Sequence, residues 1–147
     1  MQIKCFPITS AEDLARAHAL RHTVFVGEQD VPPEVERDGL DDAARHFGVI
    51  VNDGVRDSFV GTCRVRLMGS AAKIERVAVD KGYRKLGIGR VLMRYIINEF
   101  SKGGDIRLFK LAAQSFAVPF YEKLGFKTRG GEYIEAGMPH YDMILEK

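Results

Sequence analysis

The stretch that decides the fold runs from Lys73 to Arg90 and reads KIERVAVDKGYRKLGIGR. Its first part has apolar residues at 77 and 79 and a bias toward β-branched side chains, which predicts a strand. Its last part opens a helical pattern in which Ile88, Leu92 and Phe100 share one side. A basic turn with glycines at 87 and 89 joins the two elements.

This turn predicts an anion site. Gly87 and Gly89 allow the backbone to approach a ligand closely, and free N–H groups at a helix start point toward it with a favourable dipole. Arg84, Lys85 and Arg90 add positive charge around the same place. The expected ligand is a phosphate or a pyrophosphate.

The composition describes one globular domain spanning residues 1–147. A net charge of +2 is too small to indicate a nucleic-acid partner. No apolar run approaches the roughly 20 residues of a membrane helix, and the N-terminus lacks a signal-peptide core. These features predict a cytoplasmic protein without a membrane or nucleic-acid partner.

The two cysteines, Cys5 and Cys63, stand far apart and form no CxxC pattern. Neither has a nearby histidine that would indicate a nucleophile. We expect two buried thiols in a reducing compartment, although a single disulfide is an alternative. No metal site is expected.

The elements outside the opening stretch are readable from periodicity and turn residues. They are, in chain order, a strand at 2–7, a helix at 10–26 with a capping box from Thr9 to Glu12, strands at 46–51, 58–67 and 106–112, a short helix at 116–124, and strands at 127–133 and 140–145. Adjacent strands indicate antiparallel pairing, whereas the strand–helix–strand unit over 73–112 indicates a parallel pair. The predicted class is α/β, with a mixed sheet and helices on both faces.

An acidic, irregular segment follows Pro32 and Pro33. Its acids are Glu34, Glu36, Asp38, Asp41 and Asp42. Two interpretations stay open: a solvated loop, or a wall of a site for a cationic substrate.

Two motifs resemble those of the Gcn5-related N-acetyltransferases (GNAT). Arg84-x-x-Gly87-x-Gly89, after a strand, resembles motif A, and the run FYEKLGF at 120–126 resembles motif B. The runs at 21–29, 41–46 and 61–64 are similar to the ElaA/YjcF-like branch of the family. The resemblance implies the GNAT acyl-CoA N-acyltransferase fold, with a mostly antiparallel sheet of six to seven strands, and a possible homodimer.

The resemblance also implies an activity. An acetyl group would pass from acetyl-CoA, by direct attack, to the primary amine of a small molecule, an amino-acid-like compound or a peptide. The implied cofactor-binding residues are Val77, Ala78, Val79, Arg84, Lys85, Leu86, Gly87, Ile88, Gly89, Arg90, Ser115, Phe116 and Tyr121. Ser115 stands where many relatives have Asn, so the usual side-chain contact with the cofactor arm is not assured.

Tyr121 resembles the family's general acid, whose hydroxyl faces the CoA sulfur. Its alternative role is packing in an aromatic cluster with Phe116, Phe120 and Phe126. Glu75 precedes Val77 by two residues, so alternation predicts that the two share a face.

Glu75 could act as the general base if burial raises its pKa. Its alternative role is a structural ion pair with Arg64 or Arg76. His46 and His140 are further candidates for the base, since an imidazole titrates near neutrality.

Contacts with the acceptor are the least defined part of the site. The candidates are His46, Arg64, Glu135 and His140, and Arg64 or Arg66 could receive a substrate carboxylate. A second function also stays open, a non-catalytic acyl-CoA sensor or assembly module with the same fold. A faint similarity of the early segment to acyl-homoserine lactone synthases is a third, less favoured interpretation.

Overall fold

The computed structural model describes residues 1–147 and contains seven strands and four α-helices. The strands are β1 (Gln2–Pro7), β2 (Arg45–Asn52), β3 (Asp57–Met68), β4 (Ala71–Val79), β5 (Leu108–Gln114), β6 (Lys127–Glu135) and β7 (Met138–Glu146). The helices are α1 (Ala11–Arg21), α2 (Pro33–Glu36), α3 (Ile88–Ser101) and α4 (Val118–Glu122). A π-helical turn, His22–Glu28, continues α1, and 3₁₀ turns lie at Lys81–Tyr83 and Ser115–Ala117. None of the helices has the length and hydrophobicity of a membrane-spanning segment.

All seven strands form one sheet in the order β1-β2-β3-β4-β5-β7-β6. Every neighbouring pair is antiparallel except β4 and β5. The predicted mixed, mostly antiparallel sheet is confirmed. The parallel pair is short, because only Ala71–Lys73 pairs with Leu108–Lys110. Beyond Lys73 the two strands diverge, and this divergence positions the site.

The first helix begins one residue later than predicted. Ser10, not Thr9, is its N-cap, and the Ser10 hydroxyl accepts a hydrogen bond from the Asp13 backbone N–H at 3.1 Å. The predicted capping box is therefore wrong by one residue. The helix was predicted to end at about residue 26, whereas the helical segment continues to Glu28 and its last turns widen into the π-helix. That turn brings Val24 against the sheet.

A β-bulge interrupts β4 at Arg76, whose φ is +55°. The β3–β4 register shifts at the same place. Because a bulge inserts one extra residue, it exchanges the two faces of the strand beyond it. Glu75 therefore lies on the α1 side, whereas Val77 and Val79 pack against the core under α3. The prediction that Glu75 and Val77 share a face is wrong for this reason.

Two apolar clusters hold the layers together. The larger lies between the sheet and the helices α3 and α4, and it includes Leu92, Ile96, Phe109 and Met143. The smaller, on the opposite face, joins Leu20 and Val24 to Ala78. Both cysteines are free, Cys63 within the core and Cys5 half-buried.

Candidate functional site

The divergence of β4 and β5 opens a cleft of about 490 Å³. The π-helical turn and α2 form one wall, and the tip of the β6–β7 hairpin forms the opposite wall. The predicted site residues that line it are Glu75, Val77, Ala78, Val79, Arg84, Phe116, Tyr121, Glu135 and His140. Residues scattered along the second half of the sequence thus come together at one place.

The facing edges of β4 and β5 are unpaired along the cleft. The ladder between them ends at Lys73 and Lys110, so β4 from 74 to 79 has no partner on that side. An unpaired strand edge presents a row of N–H and C=O groups that can pair with an extended chain. The cleft can therefore take an extended, amide-bearing ligand as an added strand.

The turn before α3 has the features of an anion site. Gly87 is the N-cap of α3 with φ +81°, and no side chain caps the helix. Lys85 is also left-handed, with φ +67°. The first N–H groups of the helix are therefore free for a ligand.

Gly89 has a packing role that the sequence did not reveal. A Cβ at this position would lie 3.2 Å from Cζ of Phe120. The glycine thus lets the start of α3 approach α4 closely. The close approach of this glycine to a ligand stays a prediction.

Arg84 is already engaged. Its Nε donates to the Val79 carbonyl at 3.0 Å, and its Nη2 lies 2.8 Å from Glu28. Arg84 therefore ties the end of the π-helical turn to the glycine turn. Lys85 and Arg90 form no ion pair and remain the free cations of the turn.

Tyr121 lies at the base of the cleft and is 8% exposed. Its ring packs edge-on against Phe120 and Phe126, with centroid distances of 4.9 and 6.0 Å. Phe116, by contrast, is exposed and takes no part in this cluster. Burial raises the pKa of Tyr121, so the phenol keeps its proton at neutral pH.

Glu75 lies on the α1 side of the cleft and is held by cations. Its Oε1 accepts from Arg66 Nε at 2.7 Å and from Arg64 Nε at 3.1 Å, and Lys73 Nζ lies 3.6 Å from Oε2. Burial acts to raise the pKa of Glu75, but the hydrogen bond from Arg66 and the surrounding charges outweigh it and lower that pKa. The ion pair with Arg64, one of the two structural alternatives, is present, and the pair with Arg76 is absent.

A closed ring of ion pairs stands beside the cleft and fixes the acidic segment. Its members alternate in charge: Arg21–Glu36 at 2.8 Å, Glu36–Arg76 at 3.0 Å, Arg76–Asp38 at 3.2 Å, Asp38–Arg64 at 2.6 Å, Arg64–Asp41 at 3.0 Å and Asp41–Arg21 at 2.8 Å. Arg21, Arg64 and Glu36 are almost completely buried. Burial opposes ionisation, yet hydrogen bonds from Arg21 and Arg64 hold the pKa of Asp41 at about 2.

The ring decides between the two interpretations of the acidic segment. Glu34 and Asp42 are exposed, as expected of a solvated loop. Glu36, Asp38 and Asp41 are instead bonded to arginines, so they do not form an open site for a cation. The sequence alone does not indicate this ring, because its members come from four separate parts of the chain: α1, the acidic segment, β3 and β4.

His140 faces the cleft, whereas His46 does not. The Nδ1 atom of His140 lies 2.8 Å from the Met138 carbonyl. Because a carbonyl only accepts, Nδ1 carries the proton in the neutral ring, which leaves the Nε2 lone pair free. His46 bonds the Asp41 carbonyl at 2.9 Å and lies outside the cleft, as does the buried Arg64.

Two further contacts and one unpaired carboxylate define the rim. The Ser115 hydroxyl donates to Glu132 at 2.7 Å and does not line the cleft. Gln29 and Gln114 form a reciprocal amide pair across the cleft, with N–O distances of 3.3 and 2.8 Å. The sequence carries no signal for that pair, since the two residues are far apart in the chain. Glu135 stands exposed on the hairpin tip and forms no ion pair.

Comparisons with known proteins agree with this geometry. Residues 13–147 match the family model of the acetyltransferase (GNAT) domain. The chain is 38% identical over 136 residues to the uncharacterized N-acetyltransferase YjcF of Bacillus subtilis, which covers 92% of this chain and 94% of that protein.

Solved structures give the same result. Escherichia coli ElaA superposes with a TM-score of 0.83 and 27% identity over 99% of this chain and 100% of that chain. An acyl-CoA N-acyltransferase from Pseudomonas aeruginosa superposes with a TM-score of 0.80 and 25% identity, covering 98% and 99% of the two chains.

Proposed function

The chain belongs to the GNAT N-acetyltransferases, in the ElaA/YjcF-like branch, and we propose that acetyl-CoA is its donor and that a primary amine attacks the thioester directly. The observation that carries this proposal is the pair of unpaired strand edges beside an uncapped helix start. An extended pantetheine arm and a pyrophosphate fit these two features in the order in which CoA carries them.

The pyrophosphate would bind the N–H groups of the segment from Leu86 to Arg90. The side chains of Lys85 and Arg90 are free to neutralise it. Arg84 contributes by holding the turn, because its donors are taken by Val79 and Glu28. The charges of Lys85 and Arg90 and the dipole of α3 would thus act together on the pyrophosphate.

The pantetheine arm would pair with β4 between Val77 and Val79. A backbone N–H of Val77 or Val79 would polarise the thioester carbonyl as it becomes an oxyanion. Losing one such donor typically lowers the rate by about 10²–10³. Phe116 stands at the β5 side of the arm.

Tyr121 is the proposed general acid. As the carbon–sulfur bond of the tetrahedral intermediate breaks, the phenolic proton passes to the departing sulfur. The raised pKa of Tyr121 keeps that proton in place until a thiolate forms. The packing role that was the alternative is also present, and the two roles are compatible.

The general base must remove a proton from the attacking amine. The lowered pKa of Glu75 makes this carboxylate a weak base. His140 is the stronger candidate, because its Nε2 is unbonded and its ring lines the cleft. We assign it the base role, directly or through one water, with Glu75 as the alternative.

Release of free CoA thiol from acetyl-CoA, measured against a panel of amines, tests this function. An acetyltransferase releases thiol only when an acceptor amine is present. The competing function, a sensor with the same fold, would bind CoA and release none.

A further inference from the structure

The structure points to the class of acceptor. We propose that the acceptor amine carries a carboxylate, which Lys73 binds from the wall of the cleft, with Lys110 beside it at the end of the β4–β5 ladder. This inference rests on the proposed function, since it names the second substrate of that same site.

Lys73 and Lys110 are direct neighbours in the last pair of the β4–β5 ladder. Both lie on the α1 face, because Phe109 and Leu111 on either side of Lys110 face the core. Adjacent strands are about 4.8 Å apart, so the two stems start close together. Both residues are partly exposed.

The acidic groups near these lysines are already bonded. Both oxygens of Glu75 accept from Arg66, and the Asp142 carboxylate accepts from the Tyr133 hydroxyl. Lys73 has only the 3.6 Å contact with Glu75, and Lys110 forms no ion pair. Like charges side by side on a sheet are unfavourable, and an anionic ligand would relieve that repulsion.

The ion-pair network beside the cleft is balanced in charge without these two lysines. The ring and its branch contain four arginines, namely Arg21, Arg64, Arg66 and Arg76, and four carboxylates, namely Glu36, Asp38, Asp41 and Glu75. These groups cancel and are bonded to one another. Arg64, which we had considered for a substrate carboxylate, has no exposed surface. Lys73 and Lys110 therefore remain for that role.

The opposite end of the cleft has the opposite charge. Glu135 lines the hairpin wall near His140 and forms no ion pair. A zwitterionic acceptor would thus lie with its carboxylate at the lysines and its ammonium group toward Glu135. From there, His140 would take the proton.

The spacing sets the length of the acceptor. Lys73 Nζ lies level with Glu75, and the backbone donors at Val77 or Val79 are two to four residues farther along β4. At about 3.3 Å per residue, the gap is roughly 7–13 Å. An α-amino acid is too short to span it, so an ω-amino acid or a short peptide is the expected class.

Turnover of a length series tests this inference. Glycine, γ-aminobutyrate and ε-aminohexanoate are compared with their carboxamides, which keep the amine and lack the charge. We expect kcat/KM to rise with length for the acids and the longer acids to exceed their amides at least tenfold. K73Q and K110Q should each raise KM for the acids by roughly ten- to a hundredfold and leave the amides unchanged. K127Q is the control. Lys127 is an exposed lysine on β6, separated from Lys110 by Ile144 on the strand between them, so it carries the same charge away from the subsite.

The outcomes separate the inference from the function beneath it. Equal turnover of acids and amides would overturn the lysine subsite while leaving the acetyltransferase intact. An equal loss in K127Q would overturn it too, because overall charge would then explain the effect. CoA binding without thiol release for any amine would overturn the function, and the subsite with it.

Discussion

Glu75 and Arg66 form a two-point ion pair, with Nε to Oε1 at 2.7 Å and Nη2 to Oε2 at 3.1 Å. The pair engages both carboxylate oxygens of a residue that alternation had suggested as the base. It explains why the pKa of Glu75 is lowered in spite of burial. The same pair ties β3 to β4 just before the bulge at Arg76.

Glu75→Gln should therefore leave the pH–rate profile intact. The acidic limb of kcat/KM should persist, because Glu75 is already ionised across that range. The variant should unfold more easily by about 1–3 kcal/mol, since the hydrogen-bonded partner of buried Arg64 is weakened.

His140→Gln is the matched variant for that experiment, and the prediction for it is the opposite. Removal of the imidazole should lower kcat, because the attacking amine loses its proton acceptor. An unchanged kcat in His140→Gln together with a lost limb in Glu75→Gln would return the base role to Glu75.

Tyr121→Phe should lower kcat by about 10²-fold or more, because the departing thiolate loses its proton donor. Acetyl-CoA affinity, measured by calorimetry, should stay nearly unchanged. Tyr95→Phe serves as the control, since Tyr95 packs on Phe47 away from the cleft. Unchanged turnover in Tyr121→Phe would contradict the general-acid role and leave the residue only its packing role.

Gly89→Asp should weaken CoA binding more than Gly89→Ala does. Both variants carry a Cβ that meets the Phe120 ring, so the alanine variant measures the steric part. The further loss in the aspartate variant measures repulsion of the pyrophosphate. Identical CoA affinities in the two variants would contradict an anion site at the start of α3.

The ion-pair ring predicts how stability depends on pH. Hydrogen bonds from arginines lower the pKa values of Asp38 and Asp41 below those of an unfolded chain, near 3.9. Their contribution is therefore present above about pH 4 and is lost as the pH falls toward about 2. Urea unfolding of the wild type should therefore show that the free energy of unfolding falls steeply between about pH 4 and about pH 2.

In Asp41→Asn the free energy of unfolding should fall less steeply over the same pH range, because one of the two carboxyl groups with a lowered pKa is gone. Its stability at neutral pH should be lower, since Arg21 and Arg64 lose a charged partner. Parallel curves for the two proteins would mean that Asp41 does not contribute to acid unfolding.

The sequence predicted the features that depend on local patterns. Periodicity located the strands, and the glycine turn from Arg84 to Gly89 located the helix start beside the cleft. Those signals are local because each depends on residues that are close in the chain. The parallel pairing of β4 and β5 followed from the helix between them.

The missed features depend on tertiary contacts. The bulge at Arg76 has no signal in the sequence, because its left-handed residue is an arginine and not a glycine. Glu36 and Asp38 bind the arginine side chain and so support its left-handed backbone. The Gln29–Gln114 pair joins residues 85 positions apart. Strict alternation along β4 ignores the bulge, so it placed Glu75 on the same face as Val77. The ion pairs of Glu75 also disfavour the base role that was considered for it.

The stoichiometry of the reaction tests the central claim most directly. Acetyl-CoA, the protein and an amine such as ε-aminohexanoate are incubated together, and free thiol and N-acetylated amine are both quantified. The account predicts equal amounts of the two products and no thiol above background without the amine. Saturable CoA binding with no acetylated product from any amine would contradict it.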